Sequence, residues 1–248
     1  MNALVVVPTY DEAENLDRLI TRLHASRPDV DVLVVDDASP DGTGRIADAL
    51  AAADDRVHVM HRIGKQGLGS AYRAGFAWGL ERDYDYLVEM DADGSHQPEE
   101  LSRLFDAAAD GADQVIGSRR VKGGAIVNWP WHRRVISWAG TTYARIMLGL
   151  PVHDSTAGYR VLRRSTLQRL DLGRFAHEGY CFQIDMTRCV HAAGMSTVEV
   201  PVTFVERERG QSKMSGAIVR EALWKVTAWG LARLLPGHRG RLALKKPA

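Results

Sequence analysis

The chain has little cysteine: Cys181 and Cys189 are the only two among 248 residues. Both fall in one expected helix with no His/Cys cluster beside them, so neither a zinc site nor a disulfide framework is expected, and a reducing compartment is. A chain of this length buries about 70–75% of its unfolded surface and needs no such staple. There is no early G-x-G-x-x-G, which argues against a nicotinamide or flavin enzyme. There is no G-x-x-x-x-G-K-[ST] either. Gly64-Lys65-Gln66-Gly67-Leu68-Gly69 fits neither pattern and reads first as a tight turn into a helix. The absence of a Q-x-x-R-W run argues against a processive polysaccharide synthase. Met1-Asn2-Ala3-Leu4 lacks a basic n-region and a long apolar stretch, so no secretory signal is expected. Neither charge sign dominates, with 32 Lys and Arg against 31 Asp and Glu, and no nucleic-acid partner is expected.

What is present is a rhythm. Residues 3–7 form an apolar, β-branched run stopped by Pro8, a buried strand. Residues 12–26 place Leu16, Leu19, Ile20 and Leu23 on one helical face. Further strands are expected at 30–35, 57–60, 87–90 and 114–117, separated by helices. Asp41 or Ser39 is positioned to cap the second helix, and Pro98 to open the fourth. Strands alternating with helices imply crossover units and a mostly parallel sheet. After Ser118 the rhythm changes: a Gly/Trp/Pro loop, a helix at 133–148, an extended piece at 159–162, a helix at 179–193 and a strand at 196–205. The expected division is a catalytic α/β domain over 1–215 and a C-terminal amphipathic helix with a basic tail over 216–248. Charges at Arg220, Glu221, Lys225 and Arg233 argue against a spanning helix. A helix lying at a bilayer surface and a helix packed on the domain are equally compatible with the segment.

Three strands end in acidic or hydroxyl groups: Pro8-Thr9-Tyr10-Asp11-Glu12, Asp36-Asp37 and Asp91-Ala92-Asp93. Ligands of open α/β sheets gather at such carboxyl ends. Two hard oxygen ligands on a short turn suit Mg²⁺ or Mn²⁺ shared with substrate phosphates. Asp29-Val30-Asp31 and Asp83-Tyr84-Asp85 have the same spacing and read as solvated edges, so it is position that singles out Asp91 and Asp93. His96 reads as a supporting residue and not a ligand. Between Asp113 and Asp154 no acidic residue occurs, while Arg119, Arg120, Lys122, Arg133, Arg134 and Arg145 do; such a segment favours an anionic partner. Trp129, Trp131 and Trp138 fit either core packing or contact with a lipid chain.

In order along the chain, the segments Val5–Glu12, Val34–Thr43, Met90–His96, Gly117-Ser118-Arg119, Asn128-Trp129-Pro130, Arg133-Arg134, Asp154–Arg160, Gly179–Gln183 and Arg207–Lys213 resemble the motifs of inverting family 2 glycosyltransferases with the GT-A fold. They are most similar to the polyprenol-phosphate (dolichol-phosphate) mannosyltransferases of the actinobacterial type. The resemblance implies transfer of mannose from GDP-mannose to a polyprenyl phosphate on a Rossmann-like, mostly parallel sheet. It implies GDP contacts at Pro8, Tyr10, Glu12, Val35 and Asp37, and a metal and diphosphate region at Asp91, Ala92 and Asp93. Arg119, Arg207 and Lys213 would neutralise phosphates. Arg119, Arg133 and Ser137 would hold the lipid phosphate. Arg207 to Lys213 is also a candidate closing loop. The implied location is the cytoplasmic face of the cell membrane, bound peripherally, with a separate membrane-anchoring protein as a possible partner. Two other enzyme readings stay open, a UDP-glucose or other nucleotide-sugar donor and a saccharide hydroxyl acceptor. So does a reading of another class, a nucleotide-binding regulatory module without turnover.

Overall fold

The computed structural model describes residues 2–175, 179–207, 216–234 and 242–245. The first half runs β1 (Ala3–Thr9), α1 (Leu16–Ser26), β2 (Asp31–Asp36), α2 (Thr43–Ala53), β3 (Val57–His61), α3 (Leu68–Leu80), β4 (Tyr86–Glu89), α4 (Leu101–Ala109) and β5 (Gln114–Ser118). The second half adds β6 (Ala125–Val127), α5 (Trp131–Leu148), β7 (Arg160–Arg163), α6 (Arg164–Arg169), α7 (Gly179–Ala192), β8 (Thr197–Pro201), β9 (Thr203–Val205) and α8 (Gly216–Leu234). Seven strands form one sheet in the order β3-β2-β1-β4-β7-β5-β8, and β6 pairs with β9 in a small second sheet. All pairings are parallel except those of β7, which runs antiparallel between β4 and β5. The chain steps outward from β1 to β3, then returns to lay β4 on the other side of β1. That reversal opens a crevice beyond the carboxyl ends of β1 and β4, the ordinary place for a ligand in such sheets.

Residues 3–7 of β1 and 32–35 of β2 are apolar throughout because helices cover both faces. One core layer joins Val5, Val7, Val32 and Val34 to Leu16, Leu23, Leu104 and Phe105. The other joins Leu4, Val6, Leu33 and Val35 to Tyr72, Phe76, Phe182 and Met186. Cys181 and Cys189 are free and buried, and burial pushes both thiols up to about 12. Gly75 and Gly79 let α3 lie directly on the sheet. A methyl at Gly75 would overlap Cγ1 of Val6, and one at Gly79 would fall 2.6 Å from Cδ2 of Leu87. Gly75→Ala gains about 1 kcal/mol in helix propensity but overpacks the sheet by about 1–3 kcal/mol. The expected net result is a Tm lower by a few degrees in thermal denaturation, and an unchanged or raised Tm would contradict it.

Local chemistry moves several boundaries. The first helix begins at Leu16, not at residue 12, because Asp11 takes a left-handed φ of 55° and the Glu12 carbonyl closes a turn with the N–H groups of Asn15 and Leu16. Gly42 is the N-cap residue of α2, and Asp41 before it accepts from the Thr43 N–H and hydroxyl, whereas Ser39 bonds Asp36. The expected strand at 196–205 is two strands. At Val202 the chain leaves β8, its N–H donating to the Ser118 carbonyl, and crosses to pair with β6.

Helix α8 rests on α5 and α7. Val226 is buried with Ile116, Ala144, Leu148 and Ile184, and the Tyr143 and Thr227 hydroxyls share a 2.6 Å hydrogen bond. Residues 242–245 return to the body, where Ala243 is buried and Leu244 bridges to Leu170. Among the described residues no helix is long and apolar enough to cross a membrane.

Candidate active site

The ends of β1, β2 and β4 meet at one cavity of about 320 Å³, within the size range of small-molecule sites. Pro8, Tyr10, Glu12, Asp37, Asp91, Ala92, Asp93, Arg119, Arg133 and Arg207 all line it. Three sequence expectations fall elsewhere. The Val35 side chain is fully buried in the core with Leu4 and Val6 and does not line the cavity, because alternation along β2 turns it inward. Ser137 lies off the lining too, one helical turn beyond Arg133, where its hydroxyl accepts from Arg120 at 2.8 Å. Lys213 and the proposed closing segment 208–213 lie outside the described residues.

The loop after β1 is fixed by the loop after β2. The N–H groups of Asp11, Glu12 and Ala13 donate to Ser39, Thr43 and Asp41 at 3.1, 2.9 and 3.0 Å. Asp36 is structural, accepting from Thr9 and Ser39. Asp37 pairs with Arg62 at 2.8 Å and accepts from the N–H groups of Gln66 and Gly67. The glycine loop after β3 therefore turns its amides to a carboxylate of the protein itself. It also brings Lys65 over the Tyr10 ring, with Nζ 4.1 Å from the centroid.

At the end of β4, Asp91 Oδ1 accepts from the Tyr72 hydroxyl at 3.1 Å, and the Asp91 N–H donates to Nδ1 of His96. His96 is buried and stacks on Tyr159, and burial lowers its pKa against the pull of Asp91. It supports the turn, as the sequence suggests. Asp91 keeps a part-exposed edge toward the cavity. Burial raises its pKa, and the nearby Asp93 charge adds to this against the opposing pull of His96, Tyr72 and Arg207. Gly158 backs this edge, since a methyl there would come within 3.6 Å of Asp91 Oδ2. Asp93 Oδ1 accepts from the Ser95 N–H, and Oδ2 faces Nη2 of Arg207 at 2.8 Å.

No cluster of three or more His, Cys, Asp or Glu able to hold a metal occurs among the described residues. Two convergent carboxylates at a cavity wall, each oriented by a second hydrogen-bonding partner, nonetheless fit a hard dication that takes its remaining oxygens from a bound diphosphate.

The acid-free segment is not a free cationic strip. Arg119 is buried and forms a bidentate pair with fully buried Asp154, Nε to Oδ2 and Nη2 to Oδ1 both at 2.7 Å. Arg133 pairs with Glu206, and its guanidinium lies 4.1 Å from the centroid of Trp129. The neutralising acids come from outside the segment, which sequence-local counting does not see. Trp129 is itself buried, while Trp131 and Trp138 are exposed on α5. Beneath the site, Glu89 accepts from Gln183 at 2.7 Å and lies 3.9 Å from Arg160. Burial pushes Glu89 up to about 7 against the pull of Arg160.

Sequence reasoning missed Tyr72, Lys65 and Glu206. Tyr72 carries no signal beyond its place on a helical face. Tyr180, Gln183 and Asp154 stood in recognised motifs but had been given no role.

A sequence profile described as glycosyl transferase family 2 matches residues 4–171. The chain is 59% identical to the polyprenol monophosphomannose synthase of Mycolicibacterium smegmatis, over 96% of this chain and 90% of that protein. It is 60% identical to the undecaprenyl-phosphate mannosyltransferase of Micrococcus luteus, over 98% of this chain and 100% of that protein. Among solved structures, glucosyl-3-phosphoglycerate synthase from Mycobacterium tuberculosis, in complex with Mn²⁺, UDP-glucose and phosphoglyceric acid, aligns with a TM-score of 0.68. That alignment covers 92% of this chain and 79% of the other at 19% identity, a likeness of fold.

Proposed function

The chain belongs to glycosyl transferase family 2 and has the GT-A architecture, and from that premise we propose that it transfers mannose from GDP-mannose to a polyprenyl monophosphate, inverting the anomeric centre. The observation that carries this reading is the near-full-length identity to two enzymes named for mannosyl transfer to polyprenyl-type lipids. The chemistry of the cavity agrees with it. Asp91, Asp93 and three arginines line the cavity together, which suits two phosphate-bearing substrates. Glu12 and Asp37 stand on the nucleotide side, where Tyr10 offers a ring face to a base. Asp91 and Asp93 would hold Mg²⁺ or Mn²⁺, which neutralises charge on a leaving diphosphate. Arg207 turns to that diphosphate, and Arg119, locked by Asp154, supplies a cation that needs no reorganisation as charge develops.

The acceptor sets the rest of the mechanism. A phosphomonoester has a second pKa near 6 and arrives largely ionised at neutral pH. Its oxygen attacks the anomeric carbon in line, so no residue has to remove a proton. What the protein must do is hold two anions together, and bidentate guanidinium groups suit phosphate oxygens. Arg133, at the start of α5, takes the acceptor phosphate. Arg133→Ala should raise the acceptor KM by about 10–100-fold, the range of a lost charge-assisted contact, with GDP affinity nearly unchanged. An equal loss of both in steady-state and calorimetric assays would remove Arg133 from the acceptor site.

The enzyme works peripherally at the cytoplasmic face of the membrane. Trp131, Val135, Ile136, Trp138 and Ile146 are exposed on α5, and Leu223, Trp224 and Leu231 on α8, which packs on α5; aromatic and aliphatic side chains of this kind seat at lipid headgroups. The whole reading is tested by incubating the protein with Mg²⁺, a short polyprenyl phosphate and either labelled GDP-mannose or UDP-glucose. A mannolipid is expected from the first donor only. A glucolipid would keep the fold and replace the sugar; GDP binding without any transfer would favour a regulatory module.

A further inference from the structure

We infer that Glu206 is a positioning residue, an internal counter-ion of Arg133 whose displacement sets an affinity threshold that a phosphomonoester dianion passes and a phosphodiester monoanion does not. The inference rests on the proposed acceptor role of Arg133. Glu206 directly follows β9, and its N–H donates to the Val127 carbonyl at 3.1 Å, so its backbone is tied to β6. Its carboxylate reaches Arg133, and the two side chains are 23% and 31% exposed. The pair therefore sits at the water-accessible rim of the cavity, where one anion can be exchanged for another. Trp129 lies beneath the guanidinium and keeps it in place during that exchange.

The next residue repeats the device with the opposite sign. Arg207 pairs with Asp93 at 2.8 Å. One dipeptide thus gives each half of the site a counter-ion, a carboxylate for the acceptor-side arginine and a guanidinium for the metal-side carboxylate.

The consequence for the acceptor follows from charge. A membrane surface presents phosphodiester headgroups, each with a single negative charge, to any unguarded arginine. Replacing the Glu206 carboxylate by such a headgroup trades one unit charge for another and gains little. A phosphomonoester carries about −1.5 to −2 at neutral pH and wins the exchange, since Coulomb attraction scales with the charge product. The displacement cost falls on both anions alike, so the weakly attracted diester drops below useful affinity while the more strongly attracted monoester still binds.

The test uses the full chain with GDP and Mg²⁺ present. Calorimetry compares citronellyl phosphate, a monoester, with dihexanoyl phosphatidylglycerol, a soluble diester, on the wild type, Glu206→Gln and Glu206→Asp. The wild type should bind the monoester and show no measurable diester binding, and Glu206→Gln should tighten both by about tenfold and bring the diester into range, a change typical of one close charge contact. Glu206→Asp should restore the wild-type affinities. Unchanged or weakened binding of the monoester in Glu206→Gln overturns the inference while leaving the acceptor site standing. Failure of the monoester to bind the wild type overturns the acceptor reading and this inference with it.

Discussion

Asp93→Ala should lower mannosyl transfer by about 10²–10³-fold or more while leaving the fold intact, the scale on which a single electrostatic element of a transition-state site acts. Asp93 stands at the carboxyl end of β4 with Oδ1 fixed by the Ser95 N–H, so Oδ2 is the atom available to a dication or to Arg207. Its removal deletes one of the two carboxylates proposed to hold the metal and takes the Asp93 carboxylate away from Arg207. Arg207 retains 20% side-chain exposure, so its charge stays hydrated and the penalty on stability is small. The discriminating measurement is transfer from labelled GDP-mannose across a Mg²⁺ titration, beside a thermal unfolding curve. Near-normal turnover at ordinary Mg²⁺ would remove Asp93 from the metal and diphosphate region. Loss of activity together with collapse of the unfolding transition would make its role structural instead.

The strand ends were legible because the code there is local. An apolar, β-branched run that stops in Pro8, Asp36-Asp37 or Asp91 states both that a strand is buried and that its end is polar. Five strands and the crevice they frame follow from such runs. The start of α1 was not legible, since it depends on Asp11 and Ala13 meeting Ser39 and Asp41 across nearly thirty residues. The small strand β6 was hidden for the same reason, and β9 was legible only as the end of one continuous strand at 196–205. The state of the arginines was the largest gap. Arg119 and Arg133 sit in a stretch without acid, yet each has an acidic partner, at position 154 and position 206. The tryptophans divide similarly. Trp129 precedes α5 and turns under Arg133 beside Phe204, whereas Trp131 and Trp138 follow the helix out to solvent. Their composition is identical, and only the start of the helix separates their fates.

Asp154→Ala should cost about 3–5 kcal/mol of stability, the penalty for leaving a buried guanidinium without its charge partner. Asp154 has no exposed side-chain surface and Arg119 has 6%. Beyond the bidentate pair, Asp154 Oδ2 accepts from the Arg119 N–H at 3.1 Å, and the Asp154 N–H donates to Glu199 at 2.9 Å. Burial alone would push this carboxyl up; the Arg119 charge and hydrogen bonds outweigh it and hold the carboxyl below the usual carboxylate range. A depressed folded value gives stability that is fully present above the unfolded pKa, near 4, and is lost as pH falls through the folded value. Urea unfolding at pH 7 should therefore show the full gap between wild type and variant, and the gap should narrow on acidification below pH 4. A constant gap would mean that packing, not charge, holds this corner. The double variant Arg119→Met, Asp154→Leu separates structure from chemistry. Apolar replacement of a buried pair is often neutral or stabilising, so the double variant should recover most of the lost stability. It lacks the Arg119 cation, one of three arginines that line the cavity, so its turnover should stay low. Recovered turnover alongside recovered stability would show that the Arg119 charge has no part in the transfer and that the pair serves the scaffold alone.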